Sequence, residues 1–353
     1  MTPEKSDNLG RVRRPTESDE DRTTMKVRDI AVAIPAHRVS SDTLAAWVQM
    51  DRAFITDKIG VESRAFLREE ENLLDLAMVA CQQLWERNPA LSSRQVELLM
   101  VVTQNPDFKL PHSSALLQKA LALDNNTACF DVNLGCSGYV YALSIAKGFM
   151  AAEGIADGIV VTCDPYSKIM GPTDRDTLPL FGDAATATWL SRETGGELGR
   201  LDYGTDGGGA NHLIVKAGGS AYPVSNLWKD AGLQYPLADF RLHMNGRAIF
   251  NFMMERVPVS VKNCLVKNDL QISDIDYFVF HQASKFLLEQ LGKRMNLPPA
   301  KVPCNLREVG NTVSSSIPLL LSQMMDQRLL HQKNVLISGF GVGLSWATNI
   351  IRF

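Results

Sequence analysis

Residues 126–151 read Asn126-Thr-Ala-Cys-Phe-Asp-Val-Asn-Leu-Gly-Cys136-Ser-Gly-Tyr-Val-Tyr-Ala-Leu-Ser-Ile-Ala-Lys-Gly-Phe-Met-Ala151. The β-prone run 128–134 predicts a strand, and the almost wholly apolar run 139–152 predicts a helix buried on nearly every face. Cys136 therefore lies at a strand-to-helix corner, where free N–H groups and the positive end of the helix dipole favour a thiolate. The small residues on both sides of this thiol leave room for a substrate, so we expect Cys136 to be a nucleophile.

The composition is that of a soluble globular protein with a large core. The chain has 353 residues, of which 45% are hydrophobic and 21% charged, and its formal net charge is -3. This charge indicates neither nucleic acid nor an anionic membrane as a partner. No apolar run approaches the roughly 20 residues that a membrane span needs, and no signal-peptide pattern opens the chain. We therefore expect a cytoplasmic protein.

The cysteines are scattered, at positions 81, 129, 136, 163, 264 and 304. They form no C-x-x-C pair and no cluster with histidine, which argues against both a zinc site and a disulfide framework. We expect no metal and no cofactor.

Alternating strand and helix patterns predict the organisation of the chain. Residues 1–24 are polar and charged, and they predict a disordered tail, after which Met25 is a candidate start. The Gly-rich stretch 204–225 is expected to be irregular. Predicted strands cover 26–34, 97–103, 128–134, 158–163, 184–190, 277–280, 302–305, 334–338 and 345–352. Predicted helices cover 41–52, 72–87, 112–123, 139–152, 246–267, 284–296 and 312–330. This alternation predicts an α/β fold built from βαβ units around a mixed, mainly parallel sheet.

The second half of the chain repeats features of the first. Residues 91–104 and 270–282 are each a polar turn followed by a strand that ends in Thr-Gln or His-Gln. A repeat of about 175 residues is too long for a solenoid and indicates duplication of a half-domain. We expect two halves, 25–200 and 201–353.

The repeat selects three residues with complementary chemistry. A pseudo-twofold axis between the halves would bring Cys136 to face His281 and Asn311. A thiolate can attack a thioester carbonyl, and an amide beside an imidazole supplies N–H donors for an enolate or carbonyl oxygen. Proteolytic sites use the same residue types. We disfavour a cysteine protease, because this thiol lies on a short turn into a buried helix of a duplicated α/β core.

An acyl transfer at Cys136 also needs N–H donors for the developing oxyanion. The Cys136 amide is one candidate. The glycine-rich loop 339–343, Gly-Phe-Gly-Val-Gly, is a candidate source of the other, because glycines let the backbone approach a ligand closely. No helix is predicted after this loop, which disfavours a dinucleotide-binding fingerprint.

At these positions the chain resembles the 3-oxoacyl-[acyl-carrier-protein] synthase III family of the thiolase-like superfamily. The resemblance extends from about Met25 to Phe353. The motifs that carry it are Asp131-Val-Asn-Leu-Gly-Cys136-Ser-Gly-Tyr, Gly171-Pro-Thr-Asp-Arg175 with Phe181-Gly-Asp-Ala, Phe280-His281-Gln-Ala, Gly310-Asn311-Thr and Gly339-Phe-Gly-Val-Gly-Leu-Ser-Trp346.

The resemblance implies a homodimer with a duplicated, five-layered αβαβα fold, and a ping-pong reaction. Acyl-CoA would acylate Cys136, and malonyl-ACP would then bind and decarboxylate. His281 and Asn311 would stabilise the enolate, which attacks the acyl-cysteine to give a 3-oxoacyl-ACP. The amides of Cys136 and Val342 would form the oxyanion hole.

The resemblance also assigns a binding site for CoA, with two departures from the family pattern. Phe54 stands where a Trp is expected to stack on the adenine, and Arg175 is its expected partner. Arg247 is assigned to the same CoA site. Ser284 replaces an Asn that is expected to contact pantetheine or the reacting carbonyl.

Further departures concern the carrier protein and the acyl group. Phe286 replaces an Arg that is expected to contact the carrier protein, and Lys285 is expected to supply that charge instead. Leu110 stands where a bulky aromatic residue crosses the dimer interface to floor the partner's acyl pocket. A smaller residue there admits a longer or branched acyl group.

Two other functions remain open on sequence alone. An acyltransferase of the same fold would pass the acyl group from Cys136 to an alcohol, an amine or a thiol. An idle partner subunit of a heteromeric synthase would need no triad, and the intact Cys/His/Asn set argues against it.

Overall fold

The computed structural model describes residues 24–224 and 235–353, so the predicted tail lies outside the described residues except for Thr24. The strands are β1 Lys26–Ala33, β2 Arg38–Ser40, β3 Ser63–Ala65, β4 Leu98–Val102, β5 Ala128–Val132, β6 Asp157–Cys163, β7 Ala185–Ser191, β8 Gly196–Leu198, β9 Asp202–Thr205, β10 Leu213–Ile214, β11 His243–Met244, β12 Tyr277–Phe280, β13 Asn334–Gly341 and β14 Ser345–Arg352. The helices are α1 Ser41–Val48, α2 Leu73–Arg87, α3 Ser113–Ala120, α4 Gly138–Glu153, α5 Gly246–Lys267, α6 Lys285–Arg294 and α7 Ser316–Asp326, with a π-helix at Phe54–Ile59.

These elements form alternating layers of helix and sheet. Helices α4 and α7 lie in the middle: α4 packs on β4 and β6 on one side and on β13 and β14 on the other, and α7 packs on β1 and β12. The outer face of the first-half strands is covered by α2, and the outer face of the second-half strands by α5. Because α4 is apolar around most of its circumference, it suits this central position. The duplicated α/β fold with five αβαβα layers is confirmed.

Strand pairing repeats between the two halves. In the first half β4 pairs parallel with β6, which pairs antiparallel with β7; in the second half β12 pairs parallel with β13, which pairs antiparallel with β14. The short strand β8 pairs with both β1 and β14 and joins the two sets of strands. The mixed sheet is confirmed, with parallel pairs where a helix connects the strands and antiparallel pairs around them.

Most predicted elements are confirmed, with boundary shifts of a few residues. The predicted strand 302–305 is wrong. Pro303 has no N–H for a strand ladder. The N–H of Asn305 instead donates to Oε1 of Gln282 (3.1 Å), whose Nε2 donates to the carbonyl of Phe280 (2.7 Å) at the end of β12. The Gln282 side chain thus occupies the hydrogen-bonding groups that an edge strand would use.

The predicted helix 312–330 also differs. The helix α7 begins only at Ser316. Val313 adopts a left-handed backbone with a φ of 54°, so a continuous α-helix cannot extend back to residue 312. The predicted irregular stretch 204–225 contains the end of β9 and the two-residue strand β10 within its described part.

The central position of α4 predicts how strongly it stabilises the fold. Leu143 on α4 is fully buried, whereas Val79 on the outer face of α2 is 42% exposed. We expect Leu143→Ala to lower the free energy of unfolding by about 2–5 kcal/mol, because it leaves a cavity between two sheets. Val79→Ala should lower it by less than about 1 kcal/mol. Thermal unfolding of both variants measures the difference, and equal losses would contradict a buried central helix.

Candidate active site

Cys136 lies in the turn between β5 and α4, against the second half of the chain. Only 5% of the surface of Cys136 is exposed to solvent. Strand β13 passes so close that a Cβ on Gly341 would lie 2.8 Å from Cys136 Sγ, and a Cβ on Gly339 would lie 2.5 Å from the Cys136 carbonyl oxygen. Only glycine allows this approach. The thiol of one half thus contacts the backbone of the other.

The thiol of Cys136 is neutral at physiological pH. Its pKa is raised to about 12, first by burial and then by the negative charge of Asp164, and hydrogen bonds from the N–H groups of Cys136 and Val342 only partly oppose this rise. The expectation of a thiolate at the helix N-terminus is therefore wrong, because desolvation outweighs the backbone donors. Both amides that the sequence analysis assigned to the oxyanion hole do lie beside Sγ.

His281 follows the last residue of β12 and is 2% exposed. Its backbone N–H donates to the Ser338 carbonyl (2.8 Å), and Nδ1 lies 2.7 Å from Oγ of Ser316 at the start of α7. Burial lowers the pKa of the imidazole to about 3, an effect that a hydrogen bond with the backbone of Val313 partly opposes. The ring is therefore neutral and acts as a hydrogen-bonding group.

The backbone of Asn311 is held on both sides. Its N–H donates to the Leu180 carbonyl (2.9 Å), and its carbonyl accepts from Gly182 N–H (3.0 Å). Its side-chain Oδ1 accepts from Val313 N–H (2.9 Å). Among the described residues the Nδ2 group has no hydrogen-bond partner, so it is free to donate to a ligand.

These three residues line one cavity of about 280 Å³. Apart from them and Ser284, the walls are apolar side chains and backbone. The other lining residues are Leu180, Phe181, Leu213, Met244, Gly246, Ile249, Phe250, Ala283, Phe286, Leu287, Phe340 and Gly341. The structure thus brings together the Cys, the His and the Asn that the sequence analysis selected from the repeat.

Of the remaining predicted site residues, one lines this cavity and the others do not. Ser284 lines it, and its Oγ accepts the N–H of Leu287 as the N-cap of α6 (3.3 Å). Five other predicted site residues are exposed to solvent and do not line the cavity: Phe54, Leu110, Arg175, Arg247 and Lys285.

Phe286 lines the same cavity near the surface. It stacks on Phe250, with 5.9 Å between ring centroids, and Nζ of Lys58 lies 6.0 Å from the Phe286 ring centroid. The sequence analysis did not identify Lys58 or Phe250. A cation and two aromatic rings thus stand where the resemblance implies a single arginine.

Three consecutive serines at the entry to α7 were also missed. Ser314 donates to the buried carboxylate of Asp164, Ser315 binds Thr162, and Ser316 binds His281. The run Ser-Ser-Ser before an apolar segment was a signal for these contacts. The sequence analysis places these serines inside the predicted helix 312–330, where their hydroxyls would have no special role.

Other kinds of site have no support in the described ranges. No three side chains of His, Cys, Asp or Glu come together there as a metal-binding group. In the same ranges no helix is both long enough and apolar enough to cross a bilayer.

Comparison with known proteins agrees with this geometry. The family model for 3-oxoacyl-[acyl-carrier-protein] synthase III matches residues 130–207, and the model for its C-terminal region matches residues 265–353. A β-ketoacyl-[acyl-carrier-protein] synthase III of Lactococcus lactis subsp. cremoris (strain MG1363) is 32% identical over 346 residues, covering 94% of this chain and 99% of the relative.

Solved structures show the same similarity. A crystal structure of a 3-oxoacyl-(acyl-carrier-protein) synthase III superposes with a TM-score of 0.86 and 36% identity, covering 93% of this chain and 99% of that one. A 3-oxoacyl-(acyl-carrier protein) synthase from Burkholderia xenovorans LB400 gives 0.84 and 32%, covering 93% of each chain. This chain belongs to the 3-oxoacyl-[acyl-carrier-protein] synthase III family and is an acyltransferase.

Proposed function

We propose that the protein condenses an acyl group from acyl-CoA with malonyl-ACP, releasing CO₂ and a 3-oxoacyl-ACP. The observation that carries this proposal is the shared cavity of Cys136, His281 and Asn311. A buried thiol alone would suit any acyl transfer. An imidazole and an amide with a free N–H beside it suit an enolate, which a decarboxylative condensation forms and a simple acyl transfer does not.

The first step transfers the acyl group to Cys136. Sγ attacks the thioester carbonyl, whose oxygen turns toward the N–H groups of Cys136 and Val342 that lie beside Sγ. A bond forms between Sγ and the carbonyl carbon, the bond to the CoA sulfur breaks, and the thiol proton leaves on CoA. The apolar cavity walls exclude water and protect the acyl-cysteine from hydrolysis.

The second step forms the carbon–carbon bond. The bond to the malonyl carboxylate breaks, CO₂ leaves, and the electron pair moves onto the thioester as an enolate. The N–H donors of His281 and Asn311 hold the enolate oxygen while its carbon attacks the acyl-cysteine. The Cys136 thiolate then leaves and takes a proton from solvent, so one proton is consumed per turnover.

The neutral imidazole suits this role. A hydroxyl hydrogen bond from Ser316 to Nδ1 of His281 would leave Nε2–H as the donor that faces the enolate. Because the pKa of His281 is about 3, the ring stays neutral across the physiological pH range and carries a single N–H.

We propose that CoA binds at the exposed rim of the cavity. Phe54 is 50% exposed and offers a ring face to the adenine. The exposed Arg175 would stack on the other face of the adenine as the partner of Phe54, and the exposed cation Arg247 would bind another part of CoA. Ser284 would contact the pantetheine arm where it enters the cavity. The exposed ammonium of Lys285 would contact the acidic surface of the carrier protein.

A homodimer is part of the proposal. Leu110 is 87% exposed and Phe108 59%, an apolar surface that a second copy of the chain would cover. The partner's Leu110 would then reach the acyl pocket. The proposal includes a cytoplasmic location, and it requires no metal or cofactor beyond the substrates.

The alternative, transfer to an alcohol, an amine or a thiol, is not favoured. Relatives that cover more than 90% of this chain are named β-ketoacyl-[acyl-carrier-protein] synthase III, and an enolate-binding pair would be idle in such a transfer.

Incubation with a panel of acyl-CoAs tests the acylation step. Intact-protein mass spectrometry should find one added acyl group, located on Cys136 by peptide mapping. Cys136→Ala should gain no mass, and Cys304→Ala, which removes an exposed thiol elsewhere, should gain it normally. The proposal fails if no acyl-CoA adds mass to the wild-type protein.

Single-turnover assays test the enolate donors. His281→Ala and Asn311→Ala should keep acylation of Cys136 but lose condensation with malonyl-ACP by about 100-fold or more, because each removes a preorganised donor. Met244→Leu, which also alters the cavity wall but removes no hydrogen-bond donor, should retain most condensation. Normal condensation in Asn311→Ala would rule out its assigned role.

The raised pKa of Cys136 predicts a pH dependence. The thiolate fraction rises with pH up to a pKa of about 12, so alkylation of Cys136 by iodoacetamide should accelerate about tenfold per pH unit from pH 6 to pH 9. Peptide mass spectrometry isolates this rate from the other thiols. A plateau near pH 7 would mean that the resting enzyme already holds a thiolate.

A further inference from the structure

Arg64, on strand β3, is a buried cation. Its exposed fraction is 0%, and its guanidinium pairs with no carboxylate among the described residues. Its Nε and Nη2 have no hydrogen-bond partner in that part of the chain. An unpaired buried charge is strongly unfavourable, so a role for the guanidinium must be sought in the contacts that it does make.

Those contacts are to the backbone of one short turn. Nη1 of Arg64 donates to the carbonyls of Leu178 (3.2 Å) and Pro179. Neither carbonyl accepts another hydrogen bond from the described part of the chain. Two successive carbonyls that point to the same side cannot both be satisfied by a neighbouring strand. A long side chain with several N–H groups satisfies both from one atom.

This turn leads directly into the backbone that holds Asn311. The carbonyl of Leu180 accepts the Asn311 N–H, and the N–H of Gly182 donates to the Asn311 carbonyl. The stem of Arg64 also packs beneath this segment, since a Cβ on Gly182 would lie 3.2 Å from Arg64 Cβ. Arg64 therefore contacts the segment 178–182, and this segment in turn contacts the backbone of Asn311.

We propose that Arg64 is a positioning residue for condensation: through residues 178–182 it sets the direction in which the Asn311 amide faces the cavity. The same segment carries Leu180 and Phe181, which form part of the cavity wall. Cys136 and its two neighbouring amides have no contact with this segment among the hydrogen bonds described. Loss of the guanidinium should therefore disturb the enolate site more than the acylation site. The inference rests on the proposed function.

The test compares two half-reactions in Arg64→Met, which keeps most of the side-chain volume and removes the donors. Acylation of Cys136 by acyl-CoA is followed by quench-flow mass spectrometry, and condensation by a single turnover of pre-acylated enzyme with malonyl-ACP. We expect the ratio of condensation rate to acylation rate to fall at least tenfold.

Arg192→Met is the matched control. Arg192 also donates from Nη2 to a backbone carbonyl, that of Met150 (2.6 Å), and its Nε has no partner, but its contacts lie away from the cavity. Its removal should lower the melting temperature and leave the ratio unchanged. This separates positioning from a general loss of stability.

The outcomes are distinct. An Arg64→Met protein that slows both half-reactions equally, or neither, overturns the inference. If that variant does not fold, Arg64→Lys replaces it. The single ammonium of lysine lacks the rigid, planar arrangement of donors of the guanidinium, so the ratio of condensation rate to acylation rate should fall about threefold. An unchanged ratio overturns the inference. If the wild-type enzyme neither acylates nor condenses, the proposed function itself fails.

Discussion

The candidate active site depends on a close approach between two backbones. Strand β13 of the second half packs against the corner that carries Cys136 in the first half, at a distance that side chains on Gly339 and Gly341 would forbid. This approach places the Val342 amide beside a thiol more than 200 residues earlier in the chain. A wider gap between the halves would leave the thiol without a second backbone donor.

Burial then decides the chemical state of the groups in the cavity. It raises the pKa of the Cys136 thiol and lowers that of the His281 imidazole, so both are neutral at rest. A neutral pair in an apolar cavity avoids the large desolvation penalty of a thiolate–imidazolium pair. In the proposed reaction, charge appears only as bonds change, and the nearby N–H groups would stabilise it there.

Much of the architecture could be predicted from local patterns. The apolar helix after Cys136, the βαβ alternation and the repeat of two halves follow from periodicity, which the packing of the core enforces. The strand predicted at 302–305 was wrong because a side chain, that of Gln282, occupies the hydrogen-bonding groups of an edge strand. The prediction of a thiolate at Cys136 was wrong because β13, more than 200 residues later in the chain, packs against this corner and helps to bury the thiol.

Local patterns are enough to predict the duplicated α/β fold and the family, and they select Cys136, His281 and Asn311, since each of these residues lies in a local motif. How the three side chains are held follows from the packing of distant segments. The contact of Ser316 with His281 and the hydrogen bonds from Arg64 to the carbonyls of Leu178 and Pro179 join segments far apart in the chain. Such contacts depend on packing between layers, which no local pattern encodes.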